Sequence, residues 1–75
     1  PKVLNWCAGP GILGFALYAN ARCEQLVLID ERLENIDTIH DTIKENHLES
    51  SVAVYQSKNL ENVPSKEKFD LIIAN

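Results

Sequence analysis

Apolar residues in this chain fall into short runs whose spacing changes from strand-like to helix-like and back. Four runs are typical of strands buried on both faces of a parallel sheet: KVLNWC at 2–7, QLVLID at 25–30, SVAVYQ at 51–56 and FDLIIAN at 69–75. Helical segments lie between the first three runs, at 11–21 and 31–48. The stretch LENVPSKEK at 60–68 contains Pro64 and indicates a turn-rich connection to the last strand.

The two helical segments differ in how far we expect them to be buried. GILGFALYANA carries apolar residues on nearly every side, so this helix should be largely covered. In the second segment, three- and four-residue spacing predicts a surface helix with one apolar face, formed by Leu33, Ile36, Ile39 or His40, Ile43, and His47 or Leu48. The alternation predicts an α/β fold with right-handed crossovers. We expect a doubly wound, all-parallel sheet of four strands in the order 3-2-1-4, with the two helices on opposite faces.

Polar residues stand where each of the four runs ends. They are the turn Gly9-Pro10-Gly11 after the first run, Asp30 at the end of the second, Ser57-Lys58-Asn59 after the third and Asn75 at the end of the fourth. In open parallel sheets, ligands bind at the carboxyl ends of the strands, where the strand order reverses. The pattern therefore predicts that these clusters form one ligand site.

The first two clusters suit a ligand that contains a nucleoside. Gly9 and Gly11 have no side chains, so a ligand can lie against backbone N–H groups at the start of a helix. Asp30, about twenty residues further on, offers two neighbouring acceptor oxygens to the two hydroxyls of a ribose. Because Asp30 ends a strand beside a cleft, we expect Asp30→Ala to weaken binding and to leave the fold intact.

Other nucleotide-binding proteins use similar glycine patterns. Gly9-x-Gly11-x-x-Gly14 fits the dinucleotide fingerprint, and CAGPGILGFALYA also resembles the Gly-Pro turn of flavin-dependent oxidoreductases. Flavoproteins of that kind are expected to continue into further glycine-rich turns, whereas this chain enters a long amphipathic helix after Asp30. A dinucleotide-binding oxidoreductase fragment is therefore the less favoured alternative.

The chain resembles the Rossmann-like class I S-adenosylmethionine-dependent methyltransferases over its whole length. VLNWCAGPGILGFALYA is similar to the first motif of that family, and LVLIDERLENIDTIHDTIKENHL to the second motif with its helix. VAVYQSKNL is similar to the third motif, and KFDLIIAN to the strand that leads into the fourth. In family members that act on amino nitrogens, the fourth motif often reads Asn-Pro-Pro-aromatic, and Asn75 stands at the place of its Asn.

This resemblance implies roles for particular residues. The Gly9 to Gly11 turn would pass beneath the methionine part of S-adenosylmethionine, Asp30 would hold the ribose hydroxyls, and the segment 57–60 would edge the adenine. Asn75 would be the catalytic residue that begins the acceptor site, and no metal is expected. The full set of implied cofactor-binding residues is Asn5, Gly9, Pro10, Gly11, Asp30, Glu31, Lys58 and Asn59.

The chain departs from the family pattern at three positions. Asn5 replaces an acid near the end of the first strand, and Cys7 stands where the family usually has glycine. Lys58 stands where an Asp commonly meets the adenine amino group, and a lysine has no acceptor to offer. Asn59 could supply a carbonyl oxygen instead. Two functional classes follow, namely a methyltransferase and a non-catalytic scaffold domain that has lost or weakened cofactor binding.

Composition, charge and cysteine spacing bear on the type of partner and on the cellular compartment. The 75 residues are 45% apolar and carry a net charge of -4, so nothing favours a phosphate-backbone partner docking on this part. Cys7 and Cys23 lack metal-ligand or redox spacing, which indicates buried, reduced thiols in a cytoplasmic protein.

We expect residues 1–75 to be the cofactor-binding half of one methyltransferase domain, incomplete at both ends and inactive alone. Its acceptor, a glutamine side chain of a protein or the amino group of a nucleobase, would bind through other regions, and no membrane partner is expected.

Overall fold

Four parallel strands form a sheet in the computed structural model, which describes residues 1–20 and 23–74. The elements in chain order are β1 (Lys2–Trp6), α1 (Ile12–Ala19), β2 (Gln25–Asp30), α2 (Leu33–Glu45), β3 (Val52–Gln56) and β4 (Leu71–Ala74). The strand order is β3-β2-β1-β4, and every neighbouring pair is parallel. The predicted fold class and strand order are confirmed.

Both helices pack on the same face of the sheet, so the prediction of opposite faces is wrong. One apolar cluster joins sheet residues Val3 and Leu28 to Phe15 of α1 and to Ile39 of α2. The reason is the strand order: β2 lies beside β1, and β3 lies beside β2 on the side away from β1, so both crossovers run in the same direction across the sheet. Right-handed crossovers that step the same way put their helices on the same face.

A connection without a helix covers the other face of the sheet. There Leu4, Val27 and Ile29 pack with Val63 and Phe69 of the segment between β3 and β4. Turns form this segment, with the Val63 amide donating to the Leu60 carbonyl at 3.1 Å and the Glu67 amide to the Pro64 carbonyl at 3.0 Å. The predicted turn-rich connection is therefore confirmed, and it brings the chain back past β2 and β1 to start β4.

The helices are shorter than the sequence patterns predict. α1 has 8 residues and α2 has 13, and among the described residues no helix is long and apolar enough to cross a membrane. α2 buries Ile36, Ile39 and Ile43, as its apolar face predicts, and leaves His40 exposed. α1 can lie close to the sheet because Gly14 has no Cβ; a Cβ there would stand only 2.8 Å from Oδ1 of Asn5.

Candidate functional site

The carboxyl ends of β1, β2 and β3 open onto one cavity of about 440 Å³. Its wall is formed by Trp6, Cys7, Asp30, Glu31, Arg32, Asn35, Ser57, Lys58 and Asn59. Three of the four polar clusters predicted from the sequence thus meet at or beside this cavity. The fourth, Asn75, lies outside the described residues. The charged residues in the wall are two acids, Asp30 and Glu31, and two bases, Arg32 and Lys58, so their formal charges balance.

The Asp30 carboxylate lies at the centre of this arrangement. Its Oδ1 accepts a hydrogen bond from the Gly9 amide at 3.2 Å. Its Oδ2 accepts from the Arg32 amide at 3.1 Å and from Nδ2 of Asn35 at 2.8 Å. Asp30 is only 9% exposed. The Asp30 carboxylate ties the loop after β1 to the first turn of α2, so the effect of Asp30→Ala on the fold stays a prediction in which this structural role has to be weighed.

The loop between β1 and α1 turns sharply through three left-handed residues. Cys7, Gly9 and Gly11 have φ angles of 53°, 58° and 91°. The loop is also fixed to β2, since the Ala8 amide donates to the Ile29 carbonyl at 2.9 Å. Glycine adopts left-handed angles without the steric cost of a Cβ, so Cys7 is the residue of this loop that carries backbone strain.

Cys7→Gly is expected to stabilise the protein by about 0.5 to 1 kcal/mol. The left-handed conformation costs a residue with a Cβ about 1 to 2 kcal/mol, which glycine avoids. The larger conformational entropy of glycine in the unfolded chain offsets part of this gain. Cys7→Ala, which keeps the Cβ, is the matched control and should stay within about 0.5 kcal/mol of the parent. Denaturant unfolding of the three proteins checks this, and a Gly variant no more stable than the Ala variant would contradict it.

The segment after β3 is organised by Ser57. The Ser57 amide donates to the backbone carbonyl of Asp30 at 3.0 Å, and its hydroxyl donates to the Asn59 carbonyl at 2.6 Å. The same hydroxyl oxygen accepts from the Asn62 amide at 3.3 Å. Ser57 is itself buried, whereas Lys58 and Asn59 are exposed on the cavity wall. Three of the four residues that the resemblance places at the adenine, Ser57, Lys58 and Asn59, therefore lie on the same wall as Asp30.

Other members of the implied cofactor-binding set lie beside the cavity without forming its wall. Asn5 is fully buried, with its side chain beneath α1, so a direct contact between Asn5 and a ligand stays a prediction. Gly9 and Gly11 contribute backbone, and Pro10 is exposed next to them. A Cβ at Gly9 would meet no atom within 4 Å, so the space beside this turn is open.

Four wall residues were not singled out as ligand-binding from the sequence, namely Trp6, Cys7, Arg32 and Asn35. Trp6 is half-buried at the end of β1, and Arg32 precedes α2. Asn35 lies five residues after Asp30 and donates to its carboxylate. A signal for Asn35 was present, because an amide in the first turn of the helix that follows a strand-end acid is placed to reach that acid.

The two cysteines occupy different environments. Both are free thiols; Cys23 is buried and Cys7 is exposed, so the prediction of two buried thiols is wrong for Cys7. Burial raises the pKa of the Cys23 thiol, which keeps it neutral and unreactive. Among residues 1–20 and 23–74, no three His, Cys, Asp or Glu side chains are grouped so as to hold a metal ion.

Comparisons with known proteins give a family and a fold. The family model described as methyltransferase small domain matches residues 1–75. No curated protein sequence matches the chain significantly.

Several solved structures share the fold. TrmK from M. capricolum, in complex with the cofactor product S-adenosyl-homocysteine, superposes with a TM-score of 0.82 at 15% identity. Ribosomal protein L11 methylase from Lactobacillus delbrueckii subsp. bulgaricus gives 0.77 at 25% identity, and YcgJ from Bacillus subtilis gives 0.75 at 23%. Each covers 97% of this chain. The chain spans about a third of those proteins, namely 33%, 36% and 30% of their respective lengths.

Proposed function

Because the chain belongs to the methyltransferase small domain family, we propose that it forms the S-adenosylmethionine-binding half of a methyltransferase that acts on a nitrogen. The observation that carries this proposal is the cavity where the Asp30 carboxylate meets the loop after β1 and the segment after β3. This edge of a parallel sheet is where such folds bind ligands. Residues 1–75 would be part of a single domain, with the acceptor bound by other regions.

The residues of the cavity fit a nucleoside cofactor. A volume of about 440 Å³ lies within the usual range of small-molecule sites. Asp30 presents a carboxylate to ribose hydroxyls, and the open space beside Gly9 allows a ligand to approach the backbone. Asn59 offers an amide oxygen to an adenine amino group, in place of the acceptor that Lys58 lacks. The donor and acceptor chemistry therefore suits the adenosine part of the cofactor.

The contribution of this chain to catalysis would be positioning. When bound, S-adenosylmethionine supplies a methyl group on a good leaving group. The reaction therefore depends more on aligning the acceptor with the methyl carbon than on acid or base catalysis. The hydrogen bonds of Asp30 to the Gly9 and Arg32 amides fix the cavity wall before a ligand arrives. A wall fixed in advance lowers the ordering cost of binding.

The proposal that the methyl acceptor is a nitrogen rests on Asn75 and on the direction of β4. Ala74, the last residue of β4, is paired with Trp6 at the end of β1. β4 thus ends at the edge of the sheet where the cavity lies. Through the resemblance to Asn-Pro-Pro-aromatic enzymes, Asn75 would accept hydrogen bonds from the amino group of a glutamine side chain or a nucleobase. Such bonds would aim the nitrogen lone pair at the methyl carbon.

Calorimetric titration of the full-length protein tests the cofactor. We expect S-adenosylhomocysteine to bind and NAD and FAD not to bind, because after Asp30 the chain enters the amphipathic helix α2 and not the further glycine-rich turns expected of such oxidoreductases. NAD and FAD, measured under the same conditions, are the matched controls. Binding of a dinucleotide without binding of S-adenosylhomocysteine would instead favour the oxidoreductase alternative.

A non-catalytic scaffold is the second candidate, and one feature of Asp30 favours it. The carboxylate already accepts three internal hydrogen bonds, so it has a structural role that does not require any ligand. In a scaffold domain, titration with S-adenosylhomocysteine would give no heat while the protein remained folded. The same titration therefore separates the two candidates.

A further inference from the structure

The side chain of Asn35 lies against the acid that is proposed to bind ribose. Its Nδ2 donates to Oδ2 of Asp30 at 2.8 Å, and the residue forms part of the cavity wall. Asn35 is half-buried in the first turn of α2. Because Nδ2 is fixed to the carboxylate, the orientation of the whole planar amide, including its carbonyl oxygen, is restricted.

The acceptor capacity of Asp30 is nearly used up within the protein. A carboxylate has about four lone-pair sites, two on each oxygen. Oδ2 accepts from the Arg32 amide and from Asn35, and Oδ1 accepts from the Gly9 amide. One acceptor position is then left, on Oδ1. A ribose that donates from both of its hydroxyls needs two acceptors, so Asp30 satisfies only one hydroxyl.

We propose that Asn35 supplies the second acceptor, so that Asp30 Oδ1 and Asn35 Oδ1 bind the ribose diol together. This inference rests on the proposed function, since it requires a nucleoside in the cavity. No described residue donates a hydrogen bond to Asn35 Oδ1, which leaves that oxygen available to a ligand. Glu31 also reaches the cavity wall, but its side chain is exposed and makes no hydrogen bond within the described residues. Asn35 is therefore the better oriented of the two acceptors.

Combining a substitution of Asn35 with the removal of single ribose hydroxyls tests whether Asn35 contacts the ribose directly. The full-length protein and its Asn35→Ala variant are titrated with S-adenosylhomocysteine and with its 2′-deoxy and 3′-deoxy analogues. We expect the variant to bind S-adenosylhomocysteine about three- to tenfold more weakly, the worth of one hydrogen bond. We expect that loss to disappear for the one analogue that lacks the hydroxyl bound by Asn35. A residue that acts only on the fold lowers the affinity for all three ligands equally.

Two further variants keep the test decisive. Asn46→Ala removes an amide of the same helix at its opposite end, where the side chain bonds the Thr42 carbonyl, and should leave all three affinities unchanged. Asn35→Ser keeps a small polar side chain in case the Ala variant is unstable, and should show the same ligand-selective loss. Equal losses for the three ligands, or no loss, would overturn the joint binding of the diol. Failure of the unmodified protein to bind S-adenosylhomocysteine would overturn the proposed function as well, and that measurement comes first.

Discussion

Asp30→Ala is expected to weaken binding of S-adenosylhomocysteine by about 2 to 4 kcal/mol, roughly 30- to 900-fold. The variant loses a charge-assisted hydrogen bond to the ribose. It also releases the Gly9 amide and the Asn35 side chain, which the carboxylate holds in place. Calorimetry on the full-length protein measures this loss. Unchanged affinity would exclude the proposed ribose-binding role.

Asp30→Asn should lower the free energy of unfolding, although it preserves the shape of the side chain. An asparagine amide in one orientation directs its NH2 group at the Gly9 amide, and in the other at the Arg32 amide and Asn35. One donor therefore always meets another donor, at a cost of about 1 to 3 kcal/mol. Asp41→Asn makes the same chemical change on the exposed side of α2 and serves as the control. Equal unfolding midpoints for the two variants would contradict the structural role of Asp30.

If the full-length protein is the proposed methyltransferase, Asn75→Ala is expected to lower its turnover at least about tenfold, a loss of about 1.4 kcal/mol of transition-state stabilisation. The proposed role of Asn75 is to hold the acceptor nitrogen, so cofactor affinity should stay nearly unchanged. Steady-state kinetics with the methyl acceptor, together with calorimetric titration of the cofactor, separates these two effects. Residues 1–75 alone should show no methyl transfer, because the acceptor site would lie in other parts of the protein.

A matched substitution controls for a general effect of removing an exposed amide. Asn20→Ala changes the end of α1, where the side chain donates to the Ala16 carbonyl, and should leave turnover unchanged. Normal turnover of the Asn75 variant would remove the nitrogen-acceptor proposal. The proposal of a methyltransferase cofactor domain would then remain, since it rests on Asp30 and the cavity.

The sequence predicted the type and order of the elements, although both helices are shorter than expected and α1 buries only Gly14 where a largely covered helix was predicted. β2 begins and ends at the predicted residues, 25 and 30, because an apolar run bounded by polar residues has few other stable arrangements in a parallel sheet. The apolar spacing of α2 identified its buried isoleucines. The convergence of Asp30 with the segment after β3 also followed from the sequence, since the carboxyl ends of parallel strands share one edge.

The helix faces required more than local patterns. Each helix has a side that must be buried, but the pattern of a helix does not say which face of the sheet it covers. That choice follows from the order in which the strands are visited, combined with right-handed crossovers. The order 3-2-1-4 was itself predicted, so the common face of α1 and α2 could have been deduced from it.

What the sequence determined by itself was the set of strands and helices, their parallel arrangement and the edge of the sheet where a ligand would bind. Only the tertiary structure showed that Cys7 takes a left-handed angle, that Asn5 lies beneath α1 and that Asp30 joins the Gly9 loop to Asn35. The physical reason is the range of the interactions. Apolar periodicity reflects burial that each segment encodes alone, whereas the partners of a carboxylate depend on the distances between atoms of segments that only the folded chain brings together.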